Sequence, residues 1–139
     1  MSEAERPWRA VNPDSMAKPV GYANAIVSKG GTRITLAGQI DMAADGNVAH
    51  PGDILKQAAG AFANVARVLE AAGGKPEHLV RMRIFVTDVA AYKALGREIG
   101  RAYREHFGTW FPAMSLFEIA SLYDEGALIE VESEAIIPD

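Results

Sequence analysis

Beyond residue 22 the apolar positions fall into two rhythms. In ANAIVSKGGTRITLAGQI the period is two, interrupted at Gly30-Gly31, which predicts two short strands joined as a hairpin. In the second of these, Ile34 and Leu36 share one face while Thr35, Ala37 and Gln39 share the other. DMAADGNVAHPGD predicts a turn-rich loop, tightest at Asp45-Gly46. The rhythm then lengthens. Leu55, Ala58, Phe62, Val65 and Leu69 recur at helical spacing behind a capping Asp53, and Gly73-Gly74 ends that helix. RMRIFVT predicts a strand with Met82, Ile84 and Val86 on one face and Arg81, Arg83 and Phe85 on the other. Asp88 predicts the cap of a second helix reaching about His106, with Tyr92, Leu95, Ile99 and Tyr103 inward and Gly108 as its stop. AMSLFEIA and ALIEVESEAI then predict two closing strands, separated by a loop around Tyr123 to Gly126.

The order strand, strand, helix, strand, helix, strand, strand predicts an α+β fold, a two-layer sandwich with both helices on one face of a single mixed sheet. Ile34, Leu36, Met82, Ile84, Val86, Phe117, Ile119, Ile129 and Val131 would pack beneath the helices. The opposite face would carry Ala37, Gln39, Arg83, Phe85, Met114, Leu116, Glu118, Glu130 and Glu132. That mixture is too apolar for a solvated sheet and too charged for a core. It predicts burial against identical subunits, with the acids held in clefts between chains. Residues 1–19, with Pro7, Pro13 and Pro19 and little periodicity, read as an N-terminal arm ahead of one domain over 20–139.

Composition narrows the function. A chain of 139 residues, 49% hydrophobic, suits one compact domain. Its net charge of −4 gives no electrostatic reason to expect nucleic acid. The nearest approach to a basic cluster, Lys93 with Arg97, Arg101 and Arg104, has helical spacing and reads as a solvated face. There are no cysteines, so disulfides and thiolate chemistry are excluded, and a reducing compartment is favoured. The charged start MSEAERPWRA is unlike a secretion signal, and no apolar run would span a membrane, so a cytoplasmic protein is expected. His50, His78 and His106 lack metal-ligand spacing, and no phosphate-binding loop or nucleophile elbow is present. Neither a metal nor a cofactor is expected.

One ordered set of motifs remains: Tyr22, LAGQI, Asp53 with Gln57, Asn64, LEAAGG, RIFVTD with Tyr92, Tyr103 and Phe107, FPA, and IEVESEA. No single piece is specific, but the set, spanning residues 20–136, resembles the RidA/YjgF family. The resemblance implies a chorismate mutase-like fold, a homotrimer with intersubunit clefts, and a small-molecule ligand. It also implies hydrolytic deamination of a reactive enamine or imine, or of an aminomuconate-type compound. Endoribonuclease activity, attributed to some members, finds no basic groove or histidine pair here.

The same resemblance assigns Glu130 as the cleft carboxylate that orients or activates water, the alternative being a solvent-facing strand residue or a salt bridge of the trimer. Tyr22 matches a ligand-facing tyrosine, the alternative being a hydrophobic plug at the strand start. Where imine-deaminating members carry an arginine after Pro-Ala, this chain has Met114. The missing charge-assisted contact would cost about 1.5–3 kcal/mol. Leu116 and Gly96 stand where such members often have a cysteine and an asparagine. Met114 and Leu116 would give the cleft an apolar floor suited to a larger, less charged ligand. That loss leaves a non-catalytic, trimeric ligand-binding or regulatory protein as the alternative. Glu118 is expected either to form a carboxylate pair with Glu130 or to meet Arg83 or Arg81 of another subunit in an ion pair. Arg83 either supplies the missing guanidinium from another direction or neutralises Glu130 or Glu118. Glu132 and Glu134 read as solvated or paired across the subunit boundary.

Overall fold

The structure, a computed structural model, describes residue 2 and residues 5–139. Among the described residues the order is β1 (Arg9–Val11), β2 (Ala25–Val27), β3 (Thr32–Gln39), α1 (Ile54–Ala71), β4 (Leu79–Val86), α2 (Val89–Ala94), α3 (Gly96–Phe107), β5 (Ala113–Glu118) and β6 (Ile129–Ile137). The main sheet runs β3-β6-β4-β5, antiparallel except for the parallel β4/β5 pair. The α+β two-layer arrangement is therefore as expected. α1 lies across β3 and β6, and α3 packs beside it.

The helix boundaries follow their caps. Asp53 accepts from the Lys56 amide and Asp88 from the Ala91 amide, each at 3.0 Å. Such caps satisfy donors that the first turn leaves unpaired. Gly108, with φ of 62°, closes α3 where a side chain would be strained. The single second helix expected from the sequence is two. It breaks at Leu95 (φ −111°, ψ 20°), whose amide turns back to the Tyr92 carbonyl, and α3 starts on Gly96.

β6 alternates between buried and half-buried positions from Ile129 to Ala135. Ile129, Val131, Ser133 and Ala135 go under the helices, and Glu130, Glu132 and Glu134 take the opposite face. Phe62 lies at the centre of the core, edge-on to Tyr103 and Phe107. No helix of the described residues is long and apolar enough to cross a membrane.

Three further expectations are corrected. First, β2 and β3 do not form a hairpin ladder. β2 pairs with β1 in a separate two-stranded sheet, while β3 pairs with β6 from Thr32↔Ile137 to Gln39↔Val131. Gly30 and Gly31 do turn the chain, but the nine-residue β6 offers β3 the longer ladder. Second, part of the segment read as an arm is built into the fold. Trp8 is buried, and its indole Nε1 donates to the Ile136 carbonyl at 3.0 Å. A three-residue strand and one tryptophan leave too little periodicity to detect.

Third, β5 has the opposite phase to that expected. Its register against β4 is Met82↔Met114, Ile84↔Leu116 and Phe85↔Phe117. Met114, Leu116 and Glu118 therefore follow the core-facing Met82, Ile84 and Val86, and Phe117 joins Phe85 on the helix-free face. AMSLFEIA carries apolar residues in both phases, so its alternation is ambiguous. Parallel pairing with β4 makes the choice.

Candidate functional site

The candidate side chains gather in two separate places. The first is the helix-free face. There Phe85 and Phe117 stack at 5.8 Å, and Phe117 remains 46% exposed. Arg83 does face this side, but its guanidinium is held by Glu132 at 2.9 Å, with Glu134 at 3.9 Å. Arg33 reaches Glu134 from β3 at 3.4 Å. Arg83 thus neutralises an acid, but not the expected Glu130 or Glu118: the antiparallel register sets it directly opposite Glu132.

Glu130 sits opposite Phe85 and, unlike Glu132 and Glu134, has no cation within 4 Å among the described residues. Its carboxylate occupies the space above Gly38, where a Cβ would collide with it. Partial burial, then the charges of Asp124 and Glu132, raise its pKa above the ordinary carboxylate value. A raised folded-state pKa favours the protonated form. The resulting stability is present at acid pH and is lost as pH rises through the folded pKa. Asp124→Asn is expected to lower the Glu130 pKa by removing a like charge, as read by NMR titration of the Glu130 carboxyl carbon. An unchanged or higher value would contradict this assignment of cause.

The expected Glu118–Glu130 pair does not form. Glu118 accepts from the Val89 amide at 3.0 Å, at the first residue of α2 and on the other side of the sheet. Within the chain its contact is with this one backbone donor rather than with Glu130.

The second place is a cavity of about 320 Å³ at the β5 edge. Tyr22, Ile84, Tyr92, Met114 and Leu116 line it. Three of the residues proposed from sequence, Tyr22, Met114 and Leu116, are thus brought together, on an apolar floor. Sequence reasoning placed Tyr92 inward but missed its position on the wall of this cavity, where burial raises its hydroxyl pKa. A larger cavity of about 750 Å³ adjoins, sharing Val20, Gly21, Ile84, Tyr92 and Met114 and continuing beneath α3. Glu130 and the Met114 cavities lie on opposite faces of one sheet, with β4 between their strands. Within a single chain they do not meet.

Residues 13–137 match the family described as Endoribonuclease L-PSP. The chain belongs to this family, that of the RidA/YjgF proteins. Among curated RidA/YjgF relatives is a 2-iminobutanoate/2-iminopropanoate deaminase of Dermatophagoides farinae, 32% identical over 131 residues, which are 94% of this chain and 98% of the relative. Among solved RidA/YjgF structures, the Rid-family protein YyfB of Yersinia pestis superposes with a TM-score of 0.83 at 30% identity, covering 94% of this chain and 99% of that one. The YjgF gene product of E. coli superposes with a TM-score of 0.66 at 28% identity, covering 94% and 99%. These neighbours share the chorismate mutase-like fold seen here.

Proposed function

We propose that this protein is a RidA-like hydrolytic deaminase, acting on a small enamine or imine in a cleft between subunits. The observation that carries the reading is Glu130: a carboxylate with no cation within 4 Å among the described residues, in a space kept clear by Gly38, with its proton affinity raised. Imine hydrolysis needs a group that takes a proton from attacking water and another that protonates the departing amine. A carboxyl group whose pKa is moved towards neutrality is suited to both. Water attacks the carbon of the protonated imine as Glu130 accepts one of its protons, which gives the neutral carbinolamine. Glu130 then returns that proton to nitrogen, and as ammonia leaves the hydroxyl proton passes back to Glu130. The imine carbon ends as a ketone carbon, and no cofactor or metal is required. The deaminase relatives support the same chemistry.

The opposed placement of Glu130 and the Met114 cavity favours a site built from two chains. In this reading the exposed Phe85–Phe117 face packs against sister subunits of a homotrimer, and Glu130 of one chain meets the Tyr22, Met114 and Leu116 cavity of the next. A soluble cytoplasmic trimer follows, with a small molecule rather than nucleic acid as partner. Aminomuconate-type compounds belong to the same reaction class. The apolar Met114, standing where a guanidinium would grip a carboxylate, favours a second reading, that of a trimeric binding or regulatory protein without turnover. An endoribonuclease finds no support in an acidic sheet face, which repels phosphate.

The test is ammonia release from 2-imino acids generated in situ and from an aminomuconate-type substrate, against a Glu130→Ala control. Release above the control is expected for at least one substrate. Rates equal to the control throughout, together with saturable binding of the product keto acid, would establish the non-catalytic reading instead.

A further inference from the structure

Lys93, Arg97, Arg101 and Arg104 read from sequence as one solvated basic face, but the structure divides them. Arg97 and Arg104, seven residues apart on α3, line the 750 Å³ cavity, and Lys93 and Arg101 do not. Seven residues is close to two helical turns, so both side chains project from one side. Gly96, just before Arg97, and Gly100, between the two arginines, leave the helix surface without side chains. A Cβ at Gly96 would meet nothing within 4 Å, and one at Gly100 would lie 3.4 Å from Nη1 of Arg104. The Arg104 guanidinium is therefore laid back along the helix over that bare surface. Neither arginine has a carboxylate within 4 Å among the described residues, whereas Arg33 and Arg83 are both ion-paired. Below the two guanidiniums the cavity is apolar, walled by Phe62, Ile99, Phe111 and Met114. Its volume lies in the range of small-molecule sites and is far larger than a three-carbon imino acid needs.

We propose that Arg97 and Arg104 bind the substrate carboxylate at the mouth of this cavity, and that the substrate is a 2-imino acid with a bulky apolar side chain. The inference rests on the deaminase reading for the word imino, though its binding part stands without turnover. Paired guanidiniums supply planar, charge-assisted donors to a carboxylate, which Met114 cannot. The apolar walls take the side chain and leave the C=N carbon at the rim, open to water delivered from a neighbouring subunit.

Calorimetric titration with phenylpyruvate and with pyruvate, stable keto-acid products of the two size classes, tests this on the intact protein. Phenylpyruvate is expected to bind the more tightly. Arg97→Gln and Arg104→Gln are each expected to weaken it by about ten- to a hundred-fold, the loss of one charge-assisted contact. Arg101→Gln, on the same helix but outside the cavity, is expected to leave it unchanged. Gly96→Phe, which fills the cavity, is expected to abolish the preference for the larger acid. Equal affinity for the two acids would overturn the proposal. So would equal weakening by Arg101→Gln, which would reduce the effect to the general field of the helix. Tight phenylpyruvate binding without ammonia release would sink the deaminase reading and leave this one standing. Turnover with KM unmoved by the arginine variants would do the reverse.

Discussion

Glu130→Gln is expected to lower kcat by about 10²–10⁴-fold, the contribution of a positioned proton-transfer group. Glutamine keeps the shape and the contact with Gly38 but cannot accept a proton from water. The loss should fall on kcat and kcat/KM alike, with keto-acid binding unchanged, since the carboxylate acts on water rather than gripping substrate. The elevated pKa adds a second signature. Activity of the wild-type protein should decline on acidification at a pH above the ordinary glutamate value, because Glu130 must be ionised to take the proton. In the variant that limb should vanish from the residual rate. Steady-state kinetics across pH, with melting temperatures as a folding control, decides the matter. A variant retaining most of its kcat would remove Glu130 from the mechanism.

The largest effect on stability is expected from Gln57, which lies on α1 and is fully buried. Its Nε2 donates to the His50 carbonyl at 3.1 Å and to the Gly126 carbonyl at 3.0 Å, and its Oε1 accepts from the Leu128 amide at 2.8 Å. One side chain thus ties the 41–53 loop and the entry to β6 onto the same helix. Gln57→Leu keeps roughly the same volume but leaves three backbone groups without partners, at about 1–3 kcal/mol for each that water does not reach. A net loss of about 3 kcal/mol or more is expected, a large share of the 5–15 kcal/mol typical of a whole domain. Urea unfolding measures it. Because Leu128 and Ile129 lead directly to Glu130, activity should fall well below the melting temperature as this entry loosens. A loss under about 1 kcal/mol would show that the loops hold themselves.

What was legible in the sequence was whatever rested on an unbroken local pattern. β6 could be read residue by residue, because each acid alternates with a small or apolar partner from Ile129 to Ala135. Both aspartate caps and the buried side of α1 followed from spacing alone. β5 was misread because Met114 and Leu116 in one phase compete with Phe117 and Ile119 in the other, and only the neighbouring strand distinguishes them. That single inversion moved three candidate residues across the sheet and separated them from Glu130. Trp8 and β1 were invisible for a different reason, since their partners, Ile136 and β2, lie far along the chain. Arg97 and Arg104 looked like a solvated stripe because a helical period cannot say which flank of a polar face overhangs a cavity.

The claim on which the rest depends is that catalysis joins Glu130 of one chain to the Met114 cavity of another. Glu130→Gln chains and Gly96→Phe chains, each expected to turn over a bulky 2-imino acid only slowly when alone, can be unfolded together and refolded as mixed oligomers. If sites form between chains, random mixing makes about a quarter of them from an intact cavity and an intact carboxylate, and about that fraction of wild-type activity should return. If mixing restores none while wild-type protein refolded in the same way recovers fully, both halves of the site belong to one chain and the account fails.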